Sequence, residues 1–488
     1  MSDWLPSAAR GAELERLDAR LAASPDEMEI RFQRCCLLAE LGRLDEAKSA
    51  YLELLRRDPT HFGALTNLGN LVYAQGFRTA AKTLYTHAIA CHPENPDGHV
   101  NLGNLLVEAN DAQSARDQFE AALRLDSHHR EAHRGMAYLL TRTRDERQAA
   151  VHREKAFRGR PLVAFPYYGG NEPLRVLMLV SAFGGTSPLR RHLDPHVFQV
   201  SALFVEYHDA SIPLPPHDLV VNAIGDVDLC RAGLESAEQI VAQTRARIIN
   251  HPARVLECGR TSGASRLGNL PGVITPKMLA VRREVLQQSG AAERLGRDGF
   301  AFPLLLRSPG FHNGQHFVRV ENAEGILAAL PQLPGDELLV IEYLDARSRD
   351  GKIRKYRAMM VGGALYPVHA AISPHWKIHY TTAQMADHPE HRAEDAAFLD
   401  DMPRVLGAKA MDALRSVGQT LALDYAGMDF SLDGEGNVLL FEANATMVVH
   451  APDQDPRWDY RRPAIQRILD AIRQMLTQPA HAGSDTNA

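Results

Sequence analysis

The pentapeptide Asn67-Leu68-Gly69-Asn70-Leu71 returns 34 positions later as Asn101-Leu102-Gly103-Asn104-Leu105, and the same period runs on in both directions. Small residues recur at Cys35, Gly69, Gly103 and Ala137, and alanine recurs at Ala47, Ala81, Ala115 and Ala149. A small or apolar position reads Leu54, Ala88, Ala122, Ala156, and a bulky one reads Tyr51, Tyr85, Phe119, Arg153. Units are separated at Pro59, Pro93, Ser127 and Pro161. Small side chains at fixed places let two antiparallel helices approach closely, and a proline ends the second helix before the next unit begins. A helix pair cannot bury its apolar face alone, so units of this kind must stack. The pattern predicts repeats near 28–61, 62–95, 96–129 and 130–163, with a half unit over 12–27.

This arrangement resembles the tetratricopeptide repeat and implies an all-α solenoid over 1–163. Such arrays present a concave face to a peptide or protein partner. A scaffold that only dimerises, or packs on a neighbouring domain, is the alternative. His99, His133 and Arg134 fall on the first helices of late repeats, where a groove would be lined; residues so placed are more often simply solvated.

At 488 residues the chain is too long for one core. A net charge of −6 excludes a general nucleic-acid or membrane-surface binder. The cysteines, at 35, 36, 91, 230 and 258, form no CxxC pair and suggest neither zinc nor a disulfide framework. The first twenty residues carry acids and no apolar core, unlike a secretory signal, and no stretch approaches the ~20 apolar residues that span a bilayer. The expectation is a soluble, cytoplasmic protein. After Pro161, residues 164–173 read as a linker, and strands near Arg175–Val180, Phe198–Val205, Asp218–Asn222 and Arg247–Asn250 alternate with helical stretches over 174–275. That is an α/β layer with a mainly parallel sheet. Its Gly184-Gly185 turn is more simply structural than a ligand cradle.

From 276 to 478 the segments carry chemistry. Asp429-Phe430-Ser431-Leu432 reads as a strand, Asp433–Asn437 as a turn, and Val438–Phe441 as a strand ending in Glu442-Ala443-Asn444. Alternation puts Glu442 and Asn444 on one face, and the hairpin returns Asp429 beside them. Two carboxylates and an amide oxygen are hard donors suited to Mg²⁺ shared with nucleotide phosphates. Upstream, Phe302–Arg307 is a strand ending in a cation. Ser308–His316 is a glycine-containing loop that can fold over phosphates, and Phe317–Val320 is the returning strand. Leu338–Ile341 breaks into Glu342-Tyr343-Leu344-Asp345, and Lys352–Val361 is a basic strand before Gly362-Gly363.

These parts, in this order, resemble the ATP-grasp superfamily over roughly 174–476. The resemblance implies a pre-ATP-grasp α/β domain at 174–275 and an α+β ATP-grasp domain at 276–478, with 479–488 as a disordered tail. It implies ATP and Mg²⁺ as cofactors, and phosphorylation of a carboxylate that an amine then attacks. By resemblance Asp429, Glu442 and Asn444 are metal ligands. Arg357, in YRAMMVGG, contacts the transferring phosphate or the acyl substrate. Glu342, Tyr343 and Leu344 touch adenine, Asp345 holds ribose, and Gly310, His312, Asn313 and Gly314 cover the phosphates. Family members carry lysine where Arg307 stands; arginine keeps the charge and brings a planar fork in place of a point cation.

A second cluster, Tyr366–His369 with Ser373–Tyr380, gathers histidines, tyrosines, Trp376 and Lys377. It suits recognition of a polar acceptor, and His375 or His379 is placed to deprotonate an amine; a loop docked on the core is the equal alternative. The run His388–Asp395 reads as an exposed helix start rather than a metal site. The expected activity is a carboxylate–amine ligase modifying a peptide or natural product, taking small-molecule or peptidic substrates, with a peptide or protein partner on the repeats and a homodimer allowed. The other reading is an adaptor whose nucleotide fold is regulatory or inert.

Overall fold

The computed structural model describes residues 7–143, 145–311, 314–378, 380 and 383–478. His312, Asn313, His379 and the expected tail at 479–488 lie outside the described residues. The chain divides into two compact units, one of Met1–Met178 with Leu193–Asp218, the other of Leu179–His192 with Leu219–Ala488.

The first unit opens with α1 (Ser7–Ala23) and four helix pairs: α2 (Met28–Glu40) with α3 (Leu44–Arg57), α4 (Phe62–Ala74) with α5 (Arg78–Cys91), α6 (Pro96–Glu108) with α7 (Ala112–Leu125), and α8 (Arg130–Arg142) with α9 (Glu146–Phe157). Local chemistry sets the starts. Pro96 opens α6 behind Asn95, whose side chain accepts from Asp97 N at 2.9 Å, and Asp111 and Asp145 cap α7 and α9 in the same manner. Ala47, Ala81, Ala115 and Ala149 are wholly buried between the paired helices. Gly69 lies against Tyr85, and Gly103 and Gly135 lie against the ring of Phe119, so these glycines are places where no side chain fits. Arg153 fills the aromatic position of the last pair and is buried, held by Thr141 Oγ1 at 2.9 Å and by Glu146.

Two expectations change here. His133 is not solvated: it is buried, bonded to Ser127 O at 3.0 Å and to His152 Nδ1 at 2.8 Å. Nor does 164–173 behave as a linker. Leu162–Ala164 is a strand, β1, antiparallel to β3 (Phe198–Phe204), and Phe165, Tyr168 and Leu174 donate to the carbonyls of Val200, Pro195 and Val197. Tyr167 is buried, because an aromatic side chain of that size gains more from packing than from water. Phe157 of α9 stacks on Phe204 with ring centroids 4.0 Å apart. Strand β3 and most of β2 (Leu174–Val180) therefore belong with the repeats, rather than with a separate domain over 174–275.

In the second unit β4 (Leu219–Asn222) runs parallel to β5 (Arg247–Ile249). Three helices follow these strands: α10 (Val227–Val241), α11 (Pro252–Leu256) and α12 (Arg260–Leu267). The Gly184-Gly185 turn is a clasp: Gly185 O accepts from Gly225 N at 2.9 Å, and the Cys230 thiol donates to Gly184 O at 3.3 Å. A four-stranded antiparallel sheet contains β7 (Met278–Arg282), β8 (Leu304–Arg307), β9 (Phe317–Val320) and β10 (Glu337–Glu342), in the order β7-β10-β8-β9. Leu304, Leu306, Leu338 and Val340 on one face form its core with Leu286, Ile326 and Leu330. A second sheet has the order β12-β11-β13-β14-β6, from β6 (Val273–Ile274), β11 (Ile353–Val361), β12 (Ala364–Ser373), β13 (Tyr425–Leu432) and β14 (Val438–Asn444). Strand β13 is buried along its length except at Leu432, in keeping with a mostly apolar run whose buried polar members are Asp429 and Ser431. No helix among the described residues is long and apolar enough to cross a membrane.

Candidate functional site

Antiparallel register assembles the site. Arg357 of β11 stands opposite His369 of β12 on one side and Asp429 of β13 on the other, and Asp429 stands opposite Glu442 of β14. One transverse row of four strands therefore reads His369, Arg357, Asp429, Glu442. Directly opposed residues share a face. The register slips immediately afterwards, between Arg357 and Ala358 and between Asp429 and Phe430, so the row sits at paired bulges of the kind that re-aim side chains.

Asp429 keeps only 3% of its side-chain surface and is held by two cations, Arg357 Nε at 2.6 Å and Lys355 Nζ at 2.7 Å. Arg357 donates a second bond, from Nη2 to Oδ2 at 2.9 Å. Burial alone pushes this carboxyl up, but Lys355 and Arg357 overcome it and hold it well below the usual carboxylate range. Glu442 is more open, at 29% of its side-chain surface, and meets Arg260 Nη2 at 2.9 Å. It too is pushed up by burial and brought below its ordinary value by Arg260 and Arg307. Asn444 donates to Glu442 Oε1 at 2.9 Å, which confirms their common face, and its own oxygen accepts from Thr446 N and Oγ1. His369 loses basicity mainly through burial and then through Arg357, so it stands neutral beside the pair.

Arg307 ends β8 as expected. Burial lowers its pKa to about 10, with Arg260 acting in the same direction, and its Nη2 donates to Phe311 O at 2.5 Å. Its Nε is buried with no hydrogen-bond partner among the described residues, an unsatisfied donor on a cation. Beside Glu442 and Asn444 a cleft is lined by Asp226, Asp228, Gly259, Arg260 and Thr446. Asp226 caps α10 by accepting from Leu229 N at 3.1 Å, and Arg260 reaches Asp228 at 3.5 Å. Burial raises the Asp228 carboxyl, with Arg260 opposing.

The remaining expected residues fall into place unevenly. Gly310 and Gly314 have φ of 76° and 69° in the loop between β8 and β9, and Lys377, which donates from Nζ to Phe317 O at 3.3 Å at the start of β9, lies against Gly314, so the second cluster meets that loop. Glu342 ends β10, where its carboxylate accepts from Lys277 N at 3.0 Å. Tyr343 lies under the Arg319 guanidinium at 4.2 Å, Leu344 packs on the core beside Trp376, and Asp345 is fully engaged by Arg347 at 2.5 Å. His375 is exposed, its backbone N bonded to Ser373 Oγ at 3.2 Å. The run His388–Asp395 does begin a helix, Pro389–Asp400, yet it is not simply exposed: His391 and Asp395 are buried, and Asp395 accepts from Ala370 N at 2.7 Å and Tyr460 OH at 2.7 Å.

Sequence reasoning missed Lys355, Arg260 and Asp228. Lys355 was within reach, since it lies two residues before Arg357 on a strand and must share its face. Arg260 and Asp228 are separated from Glu442 by most of the unit, and no local pattern marks them. The donor set suits a hard cation with a polyphosphate. Glu442 and Asn444 offer oxygens on one face, and Lys355, Arg357, Arg260 and Arg307 supply more positive charge than the two acids of the row neutralise.

A family model for the tetratricopeptide repeat matches residues 32–96, 66–129 and 100–150. Among solved structures, MamA from Desulfovibrio magneticus RS-1 (residue 41 to the end) is 20% identical, with 30% of this chain and 83% of that chain covered and a TM-score of 0.27. YrrB, described as a TPR protein with an unusual peptide-binding site, is 20% identical over 29% of this chain and 74% of that chain, with a TM-score of 0.27. TTC0263, a thermophilic TPR protein in Thermus thermophilus, is 20% identical over 30% of this chain and 81% of that chain, with a TM-score of 0.27. No curated protein matches the chain. The N-terminal helical region of this protein is built of tetratricopeptide repeats.

Proposed function

We propose that the second unit is an ATP-grasp ligase that uses ATP and Mg²⁺ to join a carboxylate to an amine, and that the repeats recruit a peptide or protein substrate. The observation that carries this reading is the row Arg357–Asp429–Glu442 with Asn444, flanked by Lys355, Arg260 and Arg307. Phosphoryl transfer needs position and charge neutralisation more than covalent help from the protein. Glu442 and Asn444, with Asp429 behind them, would hold Mg²⁺, which supplies charge neutralisation across the phosphates. Arg307, whose Nε has no partner among the described residues, suits a phosphate oxygen, and Arg357 suits an oxygen of the transferring phosphoryl group or of the acyl substrate. The γ-phosphoryl group passes to the carboxylate oxygen and ADP departs. The amine nitrogen then attacks the carbonyl, phosphate leaves, and the amine gives up a proton. The loop carrying Gly310 and Gly314 would keep water from the activated acid.

One observation favours the adaptor reading: every acid of the site already has an internal cation, with Lys355 and Arg357 on Asp429 and Arg260 on Glu442. Calorimetry of ATP binding with and without Mg²⁺, followed by ADP release across a panel of acids and amines, separates the two. Mg²⁺-assisted binding with amine-dependent ADP release supports the ligase. Binding without turnover supports an adaptor with a regulatory nucleotide fold, and no Mg²⁺-assisted uptake ends the ligase and leaves the adaptor with an inert one.

A further inference from the structure

A cluster outside that row lies where the helix Pro389–Asp400 begins. His388 Nδ1 is 3.1 Å from Glu390 Oε1, and His391 Nε2 is 3.8 Å from the same oxygen. The three ligand atoms lie within 4.8 Å of one another. We propose that His388, Glu390 and His391 bind one d-block divalent cation, with Zn²⁺ as its type, at a site separate from the one described for nucleotide. Two imidazoles and one carboxylate match that class of ion; Mg²⁺ prefers oxygen throughout. Around a four-coordinate zinc with bonds of about 2.0–2.2 Å, neighbouring ligand atoms are about 3.3–3.6 Å apart, so side-chain rotations that draw the trio in by about 1 Å close it on an ion.

Two further features point the same way. Lys352 donates from Nζ to His391 Nε2 at 2.9 Å. An ammonium can only donate, so the Nε2 lone pair points at Lys352 Nζ and the ring proton sits on Nδ1, the tautomer that a metal needs at Nε2. His391 is 2% exposed, and its Nδ1 has no hydrogen-bond partner among the described residues. The cluster thus already directs a lone pair at a cation, and the cation present is a lysine. An ion there displaces Lys352, fastens His388 to the first turn of the helix, and leaves a coordination position for water.

The test uses the untagged full chain in excess Mg²⁺, titrated with Co²⁺ and followed by visible absorption and calorimetry. One equivalent should bind with the intense bands of nitrogen-ligated, four- or five-coordinate cobalt. His388→Ala, at a side chain 42% exposed, should weaken binding about tenfold or more without altering the circular dichroism. Lys352→Met removes the competing charge and should tighten binding about tenfold. Absence of those bands, or a Co²⁺ affinity unchanged by His388→Ala, overturns the site. Unchanged or weaker binding in Lys352→Met overturns the exchange of lysine for metal.

Discussion

At the scale of single residues, exposure divides the acids by task. Asp429 is sealed beneath Lys355 and Arg357, and Glu442 stays within reach of a ligand. Glu442→Gln removes a charge and almost no volume, so the fold should persist; on the ligase reading proposed above, Mg²⁺-assisted ATP binding should be lost and turnover should fall by about 100-fold or more. Wild-type turnover in that variant would remove Glu442 from the metal site. A second residue-scale prediction concerns His152, whose folded-state pKa is lowered from 6.5 to about 4, first by burial and then by His133. The folded value lies below the unfolded one, so the unfolded chain takes up its proton first. The contribution to stability is therefore complete above pH 6.5 and is lost as pH falls toward 4. Thermal unfolding at pH 7 and pH 5 should show a lower midpoint at the acid pH for the wild type and a smaller drop for His152→Gln. Equal drops refute it.

At the scale of elements, the repeats depend on glycines that admit a neighbour's ring. A Cβ at Gly103 would lie 2.7 Å from Phe119 Cε1, and Gly135 closes on the same ring from the next helix, so the ring cannot retreat. Overpacking of this sort costs about 1–3 kcal/mol, against a helix-propensity gain of up to about 1 kcal/mol. Gly103→Ala should therefore lower the urea midpoint. Gly11→Ala, where nothing lies within 4 Å of the added carbon, should leave it unchanged or raise it. Should both variants shift alike, packing is not what fixes these glycines. Much of this level was legible beforehand. The 34-residue period located the helix pairs, and period-two alternation located the acid hairpin, because both depend on neighbours close in sequence.

At the scale of the whole molecule, the first unit does not end with the last repeat. Strand β1 pairs with β3, Phe157 stacks on Phe204, and Arg10 donates to Tyr167 O at 3.0 Å. A chain beginning at residue 164 loses all three, so β3 should exchange its amide protons faster than in the intact protein. Hydrogen exchange over 198–204 measures this directly, and equal protection in both forms would show that β3 does not lean on the repeats.

The amino-acid order by itself determined the repeats, the acid hairpin and the strand bearing Arg357, since each rests on periodicities of two, three to four, or thirty-four residues. Tertiary structure alone decided that 164–173 is packed rather than free, that His133 is buried against His152, and that Arg260 meets Glu442. These contacts join residues whose separation in the chain bears no relation to their distance in space, and only chain closure and burial bring them together.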